Sequence, residues 1–531
     1  MIMNTDRSKI KNVLFIMADQ LRWDYLACAG HPTLKTPNID ALAARGVRFT
    51  NAFVQGPVCG ASRMSTYTGR YVTSHGSAWN FVPLSVAQKT LGDHLRPHGV
   101  RCAVVGKTHV EADEEGAERL GIDTASPAGQ LLMHGGFEPY ERDDGILPPG
   151  FKAEGNRYCD YLREKGYQGD NPWHDFANSS LGEDGTIHSG WNLRWAREAA
   201  RVAEEHSETP YMTRRAMDFI AEQGEKPWVL HLSFIKPHWP YVAPAPYHDM
   251  YGPQDILPVC RDEAERTDPH PVYRGFMDYT PSQTFSKEGV RETVIPTYMG
   301  LITQIDDHIG RLMQFLKDTG REKDTLIVFT SDHGDYLGDH WMGEKELFHD
   351  TIVKVPLLVI DPRSIADKTR GSECDAMVES IDLLPTFLDA LQLPQPQEWL
   401  EGQSLLPLLQ GQQDNWSKDQ AVCENTFAFR DCVRLPIGSP VDRCNMTMVR
   451  TREWKYVHVD GLRPMLFDLI NDPHEIHDLG ASSAHAQVRE EMQRRLLDWL
   501  FCRRRTTGIT PEGIETWNVR ELKAGIDIGV W

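Results

Sequence analysis

The chain has 531 residues, 40% of them hydrophobic and 25% charged, with 56 Lys and Arg against 76 Asp and Glu for a net charge of −20. Its length exceeds what one hydrophobic core fills, and its composition is that of a folded globular protein, not of a disordered or fibrous one. The acidic balance argues against nucleic acid or an anionic membrane as partner, so an anionic substrate needs a local cluster of positive groups set against the global field.

In chain order, "KNVLFIMADQ" predicts a buried strand ending in polar residues. Its apolar run, "VLFIMA", is too short to cross a bilayer or to serve as a signal-peptide core, and a cytoplasmic protein is expected. "TPNIDALAARGVRF" predicts a helix with Asn38 as cap candidate and Gly46 as its stop. "VCGASRMSTYTGRY", residues 58–71, sets a cysteine four residues before an arginine and then runs into Thr-Gly-Arg. "RCAVVGKTH" is a further short apolar run with a polar end. Residues 111–209 read as long loops around a rim. "KPWVLHLSF" before "IKPHWPY", "DTLIVFTSDHGD" and "KVPLLVID" repeat the strand pattern, and a strong helix is expected over 298–319. Strands alternating with helices predict an α/β fold with a large, mostly parallel sheet flanked by helices. Past residue 400 the texture changes to antiparallel strands and turns, followed by a helix over 484–500. The expected division is a catalytic domain over 1–400, a smaller α+β subdomain over 401–505 and a tail over 506–531. In that tail Trp517, Ile526, Ile528 and Trp531 need a surface to pack on, such as a neighbouring subunit. Ten cysteines without a C-x-x-C pair argue against a disulfide scaffold or a Cys-rich zinc module.

Four runs end in chemically capable residues: Asp19-Gln20, Lys107 with His109, Lys236 with His238, and Asp332-His333. In open α/β sheets ligands sit outside the carboxyl ends of strands. Two carboxylates and an imidazole suit a divalent metal, although each residue alone also reads as a turn or cap. A zinc set of His333, His340 and His349 is the alternative. Arg63, Lys107, His109, His238 and Lys345, converging on one rim with a metal, make a site for a tetrahedral anion.

Taken together these segments resemble the sulfatase family of the alkaline phosphatase superfamily. Its C-x-P-S/A-R signature stands here as Cys59-Gly60-Ala61-Ser62-Arg63, followed by Thr68-Gly69-Arg70. "MADQLRWD", "GKTH", "KPHWPY", "TSDHGDYLGDHWMGEK", "ESIDLLPTFLDAL" and "LFDLINDPHEIHDL" extend the resemblance over residues 12–500. It implies that a formylglycine-generating enzyme oxidises Cys59 to an aldehyde whose hydrate is the nucleophile. It implies that Asp19, Asp332 and His333 bind a metal with the modified Cys59, and that Arg63 holds the diol. Lys107, His109 and Lys345 would then hold the transferred group, His238 would serve the leaving oxygen, and Gln20 and Asn80 would line the substrate site.

Two departures stand out. Many sulfatases have Asp-Asp and Asp-Asn where this chain has Asp19-Gln20 and Asp332-His333, which resembles the branch of phosphonate monoester hydrolases and choline sulfatases. An imidazole ligand favours Mn²⁺, with Ca²⁺ as the alternative. Ala61 stands where the oxidising enzyme's usual pattern has proline. The "GKTH" pair favours sulfate monoesters, while Gln20 and His333 favour a phosphonate monoester or phosphodiester. An unmodified, silent anion binder is the third reading. The expected assembly is a dimer or tetramer.

Overall fold

The computed structural model describes residues 9–503, 508–518 and 523–525. The first apolar run forms β1 (Asn12–Asp19), buried at every position. Val13, Phe15 and Met17 enter one core, and Leu14, Ile16 and Ala18 enter another on the opposite face. The helix expected next is α1 (Pro37–Arg45), which ends at Gly46 as expected. Its N-cap is Thr36 and not Asn38, because Pro37, with its preset φ and no N–H, takes the first helical position. Asn38 instead donates from its amide to Asp306, at 2.8 Å.

The remaining strands, in chain order, are β2 (Val47–Phe53), β3 (Arg101–Gly106), β4 (Glu138–Arg142), the small hairpin β5 (Ser179–Leu181) and β6 (Ile187–Ser189), β7 (Trp228–Pro237), β8 (Thr325–Ser331), β9 (Leu357–Ile360) and β10 (Ser372–Glu379). All but the hairpin join one eight-stranded sheet in the order β10-β2-β9-β8-β1-β7-β3-β4. Every neighbouring pair is parallel except those made by β9, which runs antiparallel to β2 and β8. The other strands therefore deliver their carboxyl ends to one rim, and the expected large, mostly parallel sheet is present.

Helix α2 (Cys59–Thr68) follows β2 and is buried along its whole length. Helices α3 (Glu208–Glu222) and α4 (Val290–Asp318) contribute Phe219, Ile220, Ile302 and Ile305 to the second core. Helix α4 begins eight residues before 298 and runs through Pro296, since Val294 and Ile295 gain full burial there.

Beyond residue 400, β11 (Ala421–Thr426), β12 (Asn445–Arg450), β13 (Trp454–Val459) and β14 (Met465–Asp468) form a separate antiparallel sheet. Helix α5 (Ala486–Cys502) covers it, burying Met492 and Leu496 against Val422, Val449, Tyr456 and Leu466. Pro511–Asn518 is helical. The Trp517 side chain and Ile526, Ile528 and Trp531 lie outside the described residues. Among the described residues no helix is long and apolar enough to cross a membrane.

Candidate active site

Each predicted residue arrives at the rim by a local device. β1 loses register with β7 between Ala18 and Asp19, and this irregularity turns the Asp19 carboxylate toward α2. Gln20 follows in the left-handed region, φ 63°, and its N–H donates to Asp332 Oδ1 at 3.0 Å. β3 ends at Gly106, whose φ of 100° and place against the Ser233 carbonyl leave no room for a Cβ. That turn swings Lys107 inward. β8 hands over directly to Asp332 and His333, and Ser331 Oγ donates to the Ala18 carbonyl to tie β8 to β1.

Cys59 is the first residue of α2, and a thiolate there is favoured by the helix dipole. The N-cap Val58 has no side-chain acceptor, and Asn80 Oδ1 accepts the Gly60 N–H instead, at 2.8 Å. Cys59 Sγ lies 3.0 Å from His333 Nε2, 3.8 Å from Asp19 Oδ1 and 3.7 Å from Lys107 Nζ. One ligand atom from each of Asp19, Cys59, Asp332 and His333 falls within a 4.8 Å span, all buried. His333 Nδ1 faces the Gly334 carbonyl at 2.9 Å and so carries a proton, and Nε2 is the ring nitrogen turned to the cluster.

Arg63, one turn along α2, is fully buried behind this cluster. Its Nε donates to Asp332 Oδ2 at 2.8 Å and its Nη2 to Asp19 Oδ2 at 3.2 Å. Its Nη1 donates to the Lys107 carbonyl at 2.9 Å and to Ser233 Oγ at 2.8 Å. These bonds direct the guanidinium to both carboxylates and to the Lys107 turn. Lys107 Nζ lies 2.5 Å from Asp19 Oδ2.

Burial pushes the Asp19 carboxyl up and so does the nearby Cys59, but Lys107, His238 and Arg63 outweigh both and hold it well below the usual carboxylate range. Burial also raises the Cys59 thiol, and Lys107, Lys345 and His333 more than reverse that, leaving it far below an ordinary thiol. Such a perturbed group among fixed charges marks a chemical site.

Lys345 Nζ donates to Gln20 Oε1 at 2.8 Å and lies 3.1 Å from His238 Nε2. His238 Nδ1 faces the Trp239 carbonyl at 2.6 Å, and burial, with Lys345 beside it, lowers its pKa to about 4. His109, at φ 53°, is half-buried, and its N–H and that of Thr108 are held by Asp144 Oδ1 at 3.2 and 2.7 Å.

The structure thus brings Asp19, Gln20, Cys59, Arg63, Lys107, His238, Asp332, His333 and Lys345 into one connected network, with Asn80 and His109 at its edge. It separates the zinc alternative: His340 and His349 stack on one another, ring centroids 3.8 Å apart. His340 pairs with Glu265 at 2.6 Å and His349 with Tyr336 at 2.7 Å, so neither joins His333.

Three positioning residues escape a sequence reading. Asp335 takes the Gln20 amide and the Tyr241 hydroxyl, each at 2.5 Å, and its place three residues past Asp332 is a usable signal. Asp144 and Ser233 act through partners far away in sequence and give none.

The sulfatase family profile matches residues 11–393, and the profile described as N-sulphoglucosamine sulphohydrolase, C-terminal, matches residues 338–500. A multifunctional alkaline phosphatase superfamily protein of Trinickia caryophylli is 31% identical, over 96% of this chain and 99% of its own length. An arylsulfatase of Clostridium perfringens is 27% identical over 92% of this chain and 93% of its own. Among solved structures, the phosphonate monoester hydrolase of Agrobacterium radiobacter superposes with a TM-score of 0.78 at 30% identity, covering 92% of this chain and 95% of that one. That of Silicibacter pomeroyi reaches 0.81 at 28% identity, covering 95% and 98%.

Proposed function

This chain belongs to the sulfatase family, and on that premise we propose that it is a metal-dependent hydrolase of sulfate monoesters, of the arylsulfatase type, with Cys59 converted to formylglycine as its nucleophile. The observation that carries this reading is Cys59 Sγ, buried between His333 Nε2 at 3.0 Å and Lys107 Nζ at 3.7 Å. No structural cysteine needs such company.

The donors fit a divalent ion. Two buried carboxylates, an imidazole whose second nitrogen is fixed, and the Cys59 position converge within 4.8 Å. Asp19, Asp332, His333 and the modified Cys59 would hold it, Mn²⁺ ahead of Ca²⁺ because of the nitrogen donor. When bound, the ion supplies Lewis-acid stabilisation of negative charge.

The chain's own residues do the rest. One hydroxyl of the formylglycine hydrate attacks sulfur as the bond to the alcohol oxygen breaks. Loss of the proton from the second hydroxyl then expels sulfate and restores the aldehyde, an exit that a serine ester lacks. Arg63 fixes Asp19 and Asp332 and so orients the nucleophile's surroundings. Lys107, His109 and Lys345 neutralise the transferred group, and Lys345 with His238 serves the leaving oxygen. Gln20 and Asn80 complete the substrate wall. The oxidation of Cys59 requires a formylglycine-generating enzyme as partner. The net charge of −20 supports the absence of nucleic-acid and membrane partners.

A second reading, hydrolysis of phosphonate monoesters or phosphodiesters by the same residues, is favoured by the two phosphonate monoester hydrolases that the chain resembles along nearly its whole length. Both ester classes carry one negative charge, so one pocket accommodates both.

Two measurements test the proposal. The tryptic peptide of residues 49–63, from protein made with a competent oxidising enzyme, should show an aldehyde mass and resist thiol alkylation; a fully alkylatable thiol removes the nucleophile. Aryl sulfate and aryl phosphonate esters with the same leaving group should then be cleaved at different kcat/KM, sulfate faster. The reverse order establishes the second reading, and full activity in Cys59→Ala ends both.

A further inference from the structure

A cavity of about 970 Å³ opens beside the site, larger than a single phenyl ring requires and at the upper end of small-molecule pockets. Five aromatic side chains contribute to its wall, beside the charged Arg194, Lys287, Glu288 and Glu344. Trp191, Trp239 and Tyr279 are half-buried and present ring surface, while Tyr241 and Phe285 are buried beneath them. Trp191 meets Trp239 at a centroid distance of 6.0 Å and 64°, and Tyr241 meets Phe285 at 6.5 Å and 86°. These edge-to-face pairs fix the ring planes without closing them onto one another.

Three wall residues are direct neighbours of the groups assigned to the reacting end. Trp239 follows His238, with ring centroids 4.6 Å apart, and its carbonyl faces His238 Nδ1. The Tyr241 hydroxyl shares Asp335 Oδ2 with the Gln20 amide. Glu344 also lines the cavity, and its carboxylate is 3.8 Å from Lys345 Nζ. The cavity therefore borders the site on the side of His238 and Lys345, where the alcohol departs, and not on the side of Lys107.

We propose that this cavity is the subsite for the alcohol half of the ester and that it selects an extended, flat aromatic alcohol of two or more fused rings. The inference rests on the hydrolase reading above for the identity of the reacting end, and on the cavity's own walls for the class of alcohol. A second fused ring adds apolar area whose burial corresponds to about tenfold in affinity. Trp191, Trp239 and Tyr279 are the specificity-determining residues.

The test uses phenol and 2-naphthol as free ligands and their sulfate and phosphonate esters as substrates, with wild type, Trp191→Ala and Tyr279→Ala. Calorimetry should show 2-naphthol binding about tenfold more tightly than phenol. The kcat/KM of the naphthyl esters should exceed that of the phenyl esters by a similar factor. Both variants should erase the naphthyl advantage, chiefly through KM, with a smaller loss on the phenyl esters. Equal affinity for the two alcohols, or a preference that survives both substitutions, overturns the subsite. Preferential naphthol binding without hydrolysis of any ester overturns the hydrolase reading and leaves the subsite standing.

Discussion

Lys107 is enclosed by Asp19 and Cys59, with its own carbonyl held by Arg63, so its ammonium is fixed before any substrate arrives. A preorganised cation of this kind acts on charge that develops during reaction. Lys107→Ala should lower kcat on the order of 100-fold, measured with an aryl sulfate at saturating concentration; unchanged kcat removes Lys107 from the reacting end. A second buried group affects stability instead. Burial and the neighbouring Glu208 push the Asp143 carboxyl from 3.8 up to about 7, and its Oδ2 has no hydrogen-bond partner among the described residues. A carboxyl raised on folding contributes stability that is fully present below about pH 4 and is lost as pH rises through about 7. Asp143→Asn keeps the acceptor that meets the Gly145 N–H but cannot ionise. Its advantage in unfolding free energy should therefore grow between pH 4 and pH 7, level off above, and reach a few kcal/mol, on the order that such a shift implies. Denaturation curves at pH 5 and pH 8 check this, and a difference that does not change with pH refutes it.

At the scale of elements, the site depends on how strands end. β3 pairs Gly106 with Ser233 of β7, and a Cβ on Gly106 would sit 1.9 Å from the Ser233 carbonyl oxygen. Gly106→Ala combines that clash with a left-handed φ of 100°. It should destabilise the fold by at least ~2 kcal/mol and displace Lys107. A lower denaturation midpoint with reduced kcat is the expected outcome; a wild-type midpoint would mean the rim tolerates a shifted strand end. The loop after β8 adds a second device. Leu337, His340, Trp341, Glu344 and Glu346 all take positive φ values there. Arg430, which follows the small sheet's first strand, pairs with Glu346 from outside. Lys345 is thus aimed by a strained segment that the C-terminal region clamps.

The whole molecule joins a large, mostly parallel sheet, whose last strand in the chain is β10, to a smaller antiparallel sheet that starts with β11. Assembly as a dimer or tetramer is proposed to depend on the tail. Removing the residues after Thr507 should lower the mass measured by light scattering, and an unchanged mass would exclude the tail from assembly.

What the sequence determined by itself is what repeats locally. Apolar runs with polar ends specify strands, and a parallel sheet must place those ends on one rim. Asp19, Lys107, His238 and Asp332 were therefore legible as one site, and the Cys59 signature added the proposed nucleophile. Helix α1 was legible to within its cap, and α4 was not legible at its start, because burial of Val294 and Ile295 outweighs the break that Pro296 signals. The tertiary structure ruled out the zinc set, because His340 and His349 stack on one another, while His333, which the strand end and the resemblance single out, lies among the carboxylates. It alone supplied Ser233 and Asp144 as supports, because hydrogen bonds between distant segments leave no periodic trace. It alone assembled the cavity beside the site, whose wall comes from segments 190–194, 239–241, 279–293 and 344 that meet only once the chain has folded.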